Sequence, residues 1–393
     1  MNNAFVIVNV SLMLLTGCSG SDKTSSAEPP GFISPEDTAA EPEDTAADSE
    51  DTAPPEVEAN DISSLLESIR AEYDLPALAA LRLEGDTVTD HGVTGMRKLG
   101  DETLATLNDK WHLGSCTKAM TATLVGVHID DGLLEWTTTM QDVFPDLTGM
   151  HDDFRTVTIE MLLSHTGRVD DTSANRDAID TQTTDDTQWR RDLTRAILLG
   201  EPGVSSGTYR YSNYGYVMVG SILEHLTGTS WEALMQERLF APLGMTGCGF
   251  GLPDAAGDVS QPWGHSGSEP VNSDNPSMLG PAGTVHCPLM DWSLFIGDQM
   301  SAYRGDESLL SAAQAEQMFT VQSDNYAMGW LVVSAPALGG PIFSHRGSNT
   351  LNLAEVVASP DINRAYLVTT NRASEADSQA MVDTLFELHE LDG

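Results

Sequence analysis

The pattern of apolar and polar positions changes twice along the 393-residue chain. Residues 61–73 carry apolar side chains at helical spacing, which predicts an amphipathic helix. Two β-type runs joined by a short polar turn predict a hairpin over residues 77–89. A more continuously apolar helix is then predicted over residues 115–131, with Gly132 as its stop.

The middle of the chain differs from both of its ends. Residues 136–285 show helical patterns and loops rich in Asp, Thr and Gly, with little strand signal. After a helix near 290–300, short β-type runs cover residues 326–333, 341–344, 351–357 and 365–370, and an amphipathic helix ends the chain. This order predicts an α/β (α+β) protein, with a sheet lobe from 61–135 and 286–393 and an inserted, mainly helical lobe from 136–285.

The first 18 residues have the composition of an export signal. Their apolar run is too short to span a bilayer comfortably and ends in small residues. Leu15-Thr16-Gly17-Cys18 resembles a bacterial lipobox, which would make Cys18 the lipidated first residue of a membrane-anchored exported protein. No Lys or Arg precedes the apolar run, so an ordinary secretory signal is the alternative.

Residues 19–60 consist mainly of Ser, Thr, Pro, Ala and acid. A Glu-Asp-Thr-Ala unit recurs there with a period of seven. A segment with little apolar bulk and one sign of charge cannot offset its ordering entropy, so we expect a disordered tether.

Acidic residues dominate the composition, with 59 Asp and Glu against 19 Lys and Arg, a formal charge of −40. Nucleic acid and anionic membrane surfaces are bound through basic patches, so neither is an expected partner. The lipid anchor is then the one expected membrane attachment, and a small molecule or peptide is the expected substrate. No His, Cys and Glu spacing suggests zinc, and no cofactor is expected.

Ser115 and Lys118 form the first candidate site. Residues three apart in a helix share a face, so the lysine amine can lie beside the serine hydroxyl and activate it as a nucleophile. The alternative is a purely structural role, a helix start with a solvated lysine, and it is common for a lone Ser-x-x-Lys. The chain has only four lysines, however, and Lys118 is the one with a serine three places earlier.

Two further motifs are weak when taken alone. Tyr211 and Asn213, two apart in a predicted loop, would offer a phenol and an amide to one pocket. His345 and Gly347 follow a strand pattern, and a glycine there allows close backbone approach, so that the Ser348 N–H points at a substrate carbonyl.

In this order, Ser-x-x-Lys, Tyr-x-Asn and His-x-Gly resemble the serine β-lactamase and penicillin-binding-protein superfamily. The tyrosine version resembles the branch that holds class C β-lactamases, related D,D-carboxypeptidases and esterases. Similar stretches surround the motifs at residues 111–118, 161–167, 201–203, 242–245 and 326–330. The resemblance covers residues 61–393 and implies a β-lactamase/transpeptidase-like fold, an antiparallel sheet flanked by helices.

The resemblance also implies a role for each matching residue. Ser115 would be acylated, Lys118 and Tyr211 would share the proton transfers, and Asn213 would hold the lysine and a substrate amide. The N–H groups of Ser115 and Ser348, beside Gly347, would form the oxyanion hole. His345 would take the place of a cationic group that is lysine in class C β-lactamases, which counts against efficient β-lactam hydrolysis.

The implied function is that of an exported serine hydrolase working through an acyl-enzyme. Its substrate would be an ester, a D-amino-acid peptide or amide, or a β-lactam, in that order. The alternative is a sensor of the same fold that has lost turnover or deacylates slowly.

Three other features of the sequence are interpreted as structural. Residues 203–207 match the Gly-x-Ser-x-Gly nucleophile elbow but lack the strand–turn–helix context that it needs. His165-Thr166-Gly167 resembles a structural turn of the superfamily. Cys248 and Cys287 flank one loop, and we expect them to pair if the protein is exported, because disulfides persist in oxidising compartments.

Overall fold

A computed structural model describes residues 59–172 and 184–391 of the chain. The predicted signal with Cys18 and almost all of the predicted tether lie outside these residues.

Most of the strands belong to one mixed sheet. The strands are β1 (Asn60–Asp61), β2 (Ala77–Glu84), β3 (Thr87–Gly95), β4 (Trp111–His112), β5 (Gly249–Phe250), β6 (Gly264–Ser266), β7 (Glu269–Val271), β8 (Val285–Cys287), β9 (Leu331–Ala335), β10 (Gly340–Ser348), β11 (Leu353–Ser359) and β12 (Arg364–Thr370). In the described residues, seven of them form one sheet in the order β1-β3-β2-β12-β11-β10-β9. All neighbours in it are antiparallel except the parallel pair of β1 and β3.

Along the chain, most of the helices lie between β3 and β9. They are α1 (Ser63–Glu72), α2 (Thr117–Asp130), α3 (Met140–Val143), α4 (Asp152–Arg155), α5 (Ile159–Leu163), α6 (Asp186–Leu199), α7 (Asn213–Thr227), α8 (Trp231–Met235), α9 (Ala241–Leu243), α10 (Gly280–Gly283), α11 (Leu289–Arg304), α12 (Ala312–Phe319) and α13 (Glu375–Glu390). None of the helices in the described part of the chain has the length and apolar content needed to cross a bilayer.

The large sheet buries both of its faces, because successive strand side chains point to opposite sides. Leu78 and Ala80 of β2 pack with Leu66 of α1 and Leu385 of α13. Ala79 and its alternate neighbours on β2 face the other core, which contains α2 and α11. The pairing of β2 with β12 joins the two ends of the chain in this sheet.

Helix α2 is buried along most of its length, from Thr117 to His128. A helix that is apolar on all sides is stable only inside a core, which fits the continuous apolar run of the sequence. A 3-10 turn over Gly114–Cys116 leads into it. The architecture confirms the predicted fold class, a sheet built from both ends of the chain with helices on its faces.

Candidate active site

Ser115 and Lys118 meet at the start of α2. Ser115 lies in the 3-10 turn and Lys118 follows one turn later, so their side chains share a face. Lys118 Nζ lies 3.1 Å from Ser115 Oγ, and the whole lysine is inaccessible to solvent. Charge removed from water must be compensated by polar partners, and these surround the amine.

The lysine amine also donates to two oxygen atoms. Nζ donates to Asn213 Oδ1 at 2.8 Å and to the carbonyl oxygen of Ala282 at 2.7 Å. It also lies 4.9 Å from the centre of the Tyr211 ring. The structure therefore brings Ser115, Lys118, Tyr211 and Asn213 into one cluster.

Asp171 belongs to this cluster, although the sequence analysis did not identify it. Its carboxylate accepts hydrogen bonds from Asn213 Nδ2 at 2.9 Å and from Ser212 Oγ at 2.9 Å. The amide of Asn213 is thereby oriented with its oxygen toward Lys118. Asp171 lies in a loop about forty residues before its partners, and no local pattern marks it.

His165 lies behind the tyrosine, with its ring centre 4.3 Å from that of Tyr211 and 4.7 Å from that of Tyr326. Its Nδ1 accepts a hydrogen bond from the Ser212 N–H at 3.1 Å. Burial, and then the charge of Lys118, lowers the pKa of His165 well below its ordinary value. The neutral ring therefore packs against Tyr211 and holds the backbone of the next residue, Ser212.

The end of β10 lies directly against the 3-10 turn that carries Ser115. A Cβ atom on Gly347 would be 1.9 Å from the Leu113 carbonyl oxygen and 2.7 Å from the Ser115 nitrogen. One on Gly114 would be 2.3 Å from the Ser348 nitrogen. Only glycine permits this backbone contact, which places the Ser115 and Ser348 nitrogens on two adjoining segments.

His345, which stands where the resemblance implies a cationic group, is a neutral ring in the structure. Its Nδ1 lies 2.9 Å from the Arg346 carbonyl, which only accepts hydrogen bonds, so Nδ1 carries the proton. Its Nε2 lies 3.1 Å from the Tyr326 hydroxyl, which is then the donor. Burial, with a smaller effect from Lys118, lowers the pKa of His345 to about 3. The ring is therefore neutral at pH 7.

Arg346 does not replace this charge. It is buried and forms an ion pair with Glu355, its partner across β10 and β11, with Nη2 2.5 Å from Oε2. The positive charge of the guanidinium is thus compensated inside the sheet.

A cavity of about 550 Å³ lies beside the backbone of Gly283. Asp274, Asn275 and Thr284 line it, together with the acidic side chains of Asp186 and Glu232. Asn275 Nδ2 donates to the carbonyl of Gly283, the residue after the Ala282 that binds Lys118. The cavity has an acidic lining, and none of Ser115, Lys118, Tyr211 and Asn213 belongs to it.

The cysteines and the elbow-like motif lie in structural positions. Cys248 and Cys287 are bonded in the structure, next to β5 and in β8. Cys116 is buried, and its Sγ contacts the carbonyl oxygen of His345 at 3.5 Å. Residues 203–207 form a largely exposed turn after α6, with no strand leading into it, which excludes a nucleophile elbow there.

Known proteins resemble this chain in sequence and in fold. Penicillin-binding protein 4 of Amycolatopsis lactamdurans is 33% identical over 181 residues, which cover 46% of each chain, so the match spans about half of that relative. The octameric penicillin-binding protein homologue of Pyrococcus abyssi has a TM-score of 0.68 at 20% identity, covering 83% of this chain and 76% of its own. The D-alanine carboxypeptidase AmpC of Burkholderia cenocepacia has a TM-score of 0.65 at 20% identity, covering 81% and 95%.

The two structural matches establish the β-lactamase/transpeptidase-like fold. The Beta-lactamase family model matches residues 62–389, which is most of the chain. This protein therefore belongs to the Beta-lactamase family.

Proposed function

We propose that this protein is a serine hydrolase that acts through an acyl-enzyme on Ser115. The observation that carries the proposal is the contact of 3.1 Å between Ser115 Oγ and the fully buried Lys118 Nζ. A serine becomes a useful nucleophile when an adjacent base removes its proton, and this amine is adjacent to it.

The proposed reaction has two steps. Ser115 Oγ attacks the substrate carbonyl while its proton passes to the pair formed by Lys118 and Tyr211, which then protonates the leaving group. Water hydrolyses the resulting ester in the same manner. The N–H groups of Ser115 and Ser348 bind the oxygen that becomes negative in both steps. Because the two proton carriers are coupled, we assign the transfers to the pair.

We rank esters before D-amino-acid peptides or amides, and β-lactams last. The neutral ring of His345 and the compensated charge of Arg346 support this order. A substrate carboxylate is usually bound by a cationic side chain, and neither residue offers one. Esters without a carboxylate need no such partner. The Burkholderia structure, described as a D-alanine carboxypeptidase, supports peptides as the second class.

The test compares a short-chain p-nitrophenyl ester with a chromogenic cephalosporin, using the purified protein and Ser115→Ala. We expect ester hydrolysis that is lost in the variant, and cephalosporin hydrolysis at least tenfold less efficient. Equal efficiency on both would contradict the ranking. If the folded protein did not hydrolyse the ester, this would contradict the proposed esterase and favour a slowly deacylating sensor. Retention of a labelled penicillin on Ser115 would reveal such a sensor.

A further inference from the structure

The inference concerns the two backbone segments that meet at Ser115, and it rests on the proposed function. In one segment, Gly114 and Ser115 lie in the 3-10 turn; in the other, Gly347 and Ser348 end β10. The proposed oxyanion donors are therefore on segments more than two hundred residues apart in sequence. Their spacing depends on whatever holds the segments together.

Asp274, in the loop after β7, lies between these two segments. Its Oδ1 is 2.7 Å from His112 Nε2, and it accepts a hydrogen bond from Asn349 Nδ2 at 3.1 Å. The side chain of Asp274 is 7% exposed and that of His112 is 1% exposed. One buried carboxylate thus contacts a residue just before the Ser115 turn and a residue just after Ser348.

On the first segment, the contact continues to the backbone. His112 Nδ1 accepts a hydrogen bond from the Gly114 N–H at 3.1 Å. A neutral imidazole has one donor and one acceptor nitrogen, so Nε2 carries the proton and faces Asp274. The carboxylate lies 2.7 Å from this protonated nitrogen and so favours the tautomer that holds Gly114, whose φ of +50° already requires glycine.

On the second segment, Asn349 is held in one orientation. Its Oδ1 accepts hydrogen bonds from the Leu351 N–H at 3.2 Å and from the Asn352 N–H at 3.0 Å. Its Nδ2 is thereby directed to Asp274. Burial raises the pKa of Asp274, but the contacts with His112 and Asn349 outweigh it, so the pKa lies below the ordinary value and the group stays ionised.

We propose that Asp274 is a positioning residue that sets the distance between the Ser115 and Ser348 N–H groups through His112 and Asn349. It does not touch the reacting atoms; it acts through two residues that hold the donors. Oxyanion donors act chiefly on the transition state, so loosening them lowers kcat more than it raises KM.

The variant Asp274→Asn keeps the size of the side chain and removes its charge. We expect kcat for the p-nitrophenyl ester to fall about 10- to 100-fold, the range known for residues that orient catalytic groups, with KM changed less than about threefold. Asp377→Asn is the matched control: Asp377 is also buried and ion-paired, but it lies in α13 on the opposite face of the sheet. We expect its kcat within twofold of the wild type.

A second variant keeps the proposal testable if Asp274→Asn does not fold. Asn349→Ala removes the contact with the second segment only and should lower kcat in the same way. Because both changes loosen one linkage, the double variant should lose less than the product of the single losses.

The failures of the two proposals are distinguishable. Wild-type kcat in folded Asp274→Asn, or a rise in KM at unchanged kcat, would overturn the positioning role alone. The second outcome would make Asp274 a substrate-binding residue, acting from the cavity that it lines. Ester hydrolysis that persists in Ser115→Ala, or is absent from the wild type, would overturn the proposed function and this inference with it.

Discussion

The surroundings of Lys118 satisfy its amine in either protonation state. Two contacts are to oxygen atoms that only accept, those of Asn213 and Ala282, and they use two N–H groups. The third direction faces Ser115 Oγ, which both donates and accepts. A charged amine donates a hydrogen bond to the serine oxygen. A neutral amine accepts a hydrogen bond from the serine hydroxyl and can then take its proton. The buried lysine is therefore suited to pass a proton without losing its other partners.

At the same scale, Tyr211 is expected to be the second proton carrier. Tyr211→Phe keeps the ring that packs on His165 but removes the hydroxyl, so kcat for the ester should fall at least about 100-fold. Tyr209→Phe is the matched control, since Tyr209 also packs on His165 with ring centres 5.8 Å apart. Steady-state kinetics decide, and equal activity of the two variants would exclude a proton-transfer role for Tyr211.

Individual residues show why the sequence predicts one part of the site and not the rest. Ser115 and Lys118 could be predicted because helix geometry joins residues three apart. Asp171 and Asp274 could not, because each lies in a loop and contacts residues that only the tertiary fold brings near. The neutral state of His345 could not be predicted from its motif either, because burial behind Tyr326 decides it.

At the scale of elements, the contact between β10 and the turn before α2 controls the geometry of the site. The sequence predicts both elements from their apolar periodicity. The distance between them is short because Gly114 and Gly347 have no Cβ atom. The sequence also predicts a close backbone approach at Gly347, but only the structure shows that the partner is the turn that carries Ser115. The predicted strand at 326–333 also shifted to β9 (Leu331–Ala335), since positive φ values at Asn325 and Gly329 bend the chain there.

Gly347→Ala tests this contact directly. The added methyl group would overlap the Leu113 carbonyl and move the Ser115 turn, so we expect kcat to fall more than about 100-fold and Tm to fall by several degrees. Gly297→Ala in α11 is the control, because its nearest neighbour would be Asp86 Oδ1 at 3.5 Å and alanine favours a helix. Calorimetry measures Tm and ester kinetics measure kcat. Equal values in the two variants would contradict the structural role of the contact at Gly347.

At the scale of the whole molecule, the two ends of the chain and its middle have separate structural roles. The ends supply the seven-stranded sheet of the described region, and the intervening residues supply most of its helices. Two of these helices, α7 and α10, place Asn213 and Ala282 beside Lys118. Periodicity predicted this division because each strand of the sheet must bury side chains on a defined face. The short strands β5 to β8 escaped prediction, since runs of two or three residues carry no period.

Buried histidines link the stability of the whole fold to pH. Burial is the main cause of a lowered pKa at His128, His165, His265, His286, His345 and His389. For His286 the value falls to about 4, against about 6.5 in an unfolded chain. Between these values the unfolded state binds more protons than the folded state. The contribution of His286 is therefore complete above about pH 6.5 and is lost as the pH falls toward 4.

His286→Gln should make the unfolding free energy less steeply dependent on pH. An amide at this position can still donate to the Gly251 carbonyl, which His286 Nδ1 contacts at 2.9 Å, so the variant should fold. Between pH 6 and 4 its slope should be smaller than that of the wild type by up to about 1.4 kcal/mol per pH unit, the value for one proton. Urea unfolding from pH 8 to 4 measures both slopes, and the range above pH 7, where they should coincide, is the internal control. Parallel curves below pH 6 would show that His286 is already protonated in the folded protein.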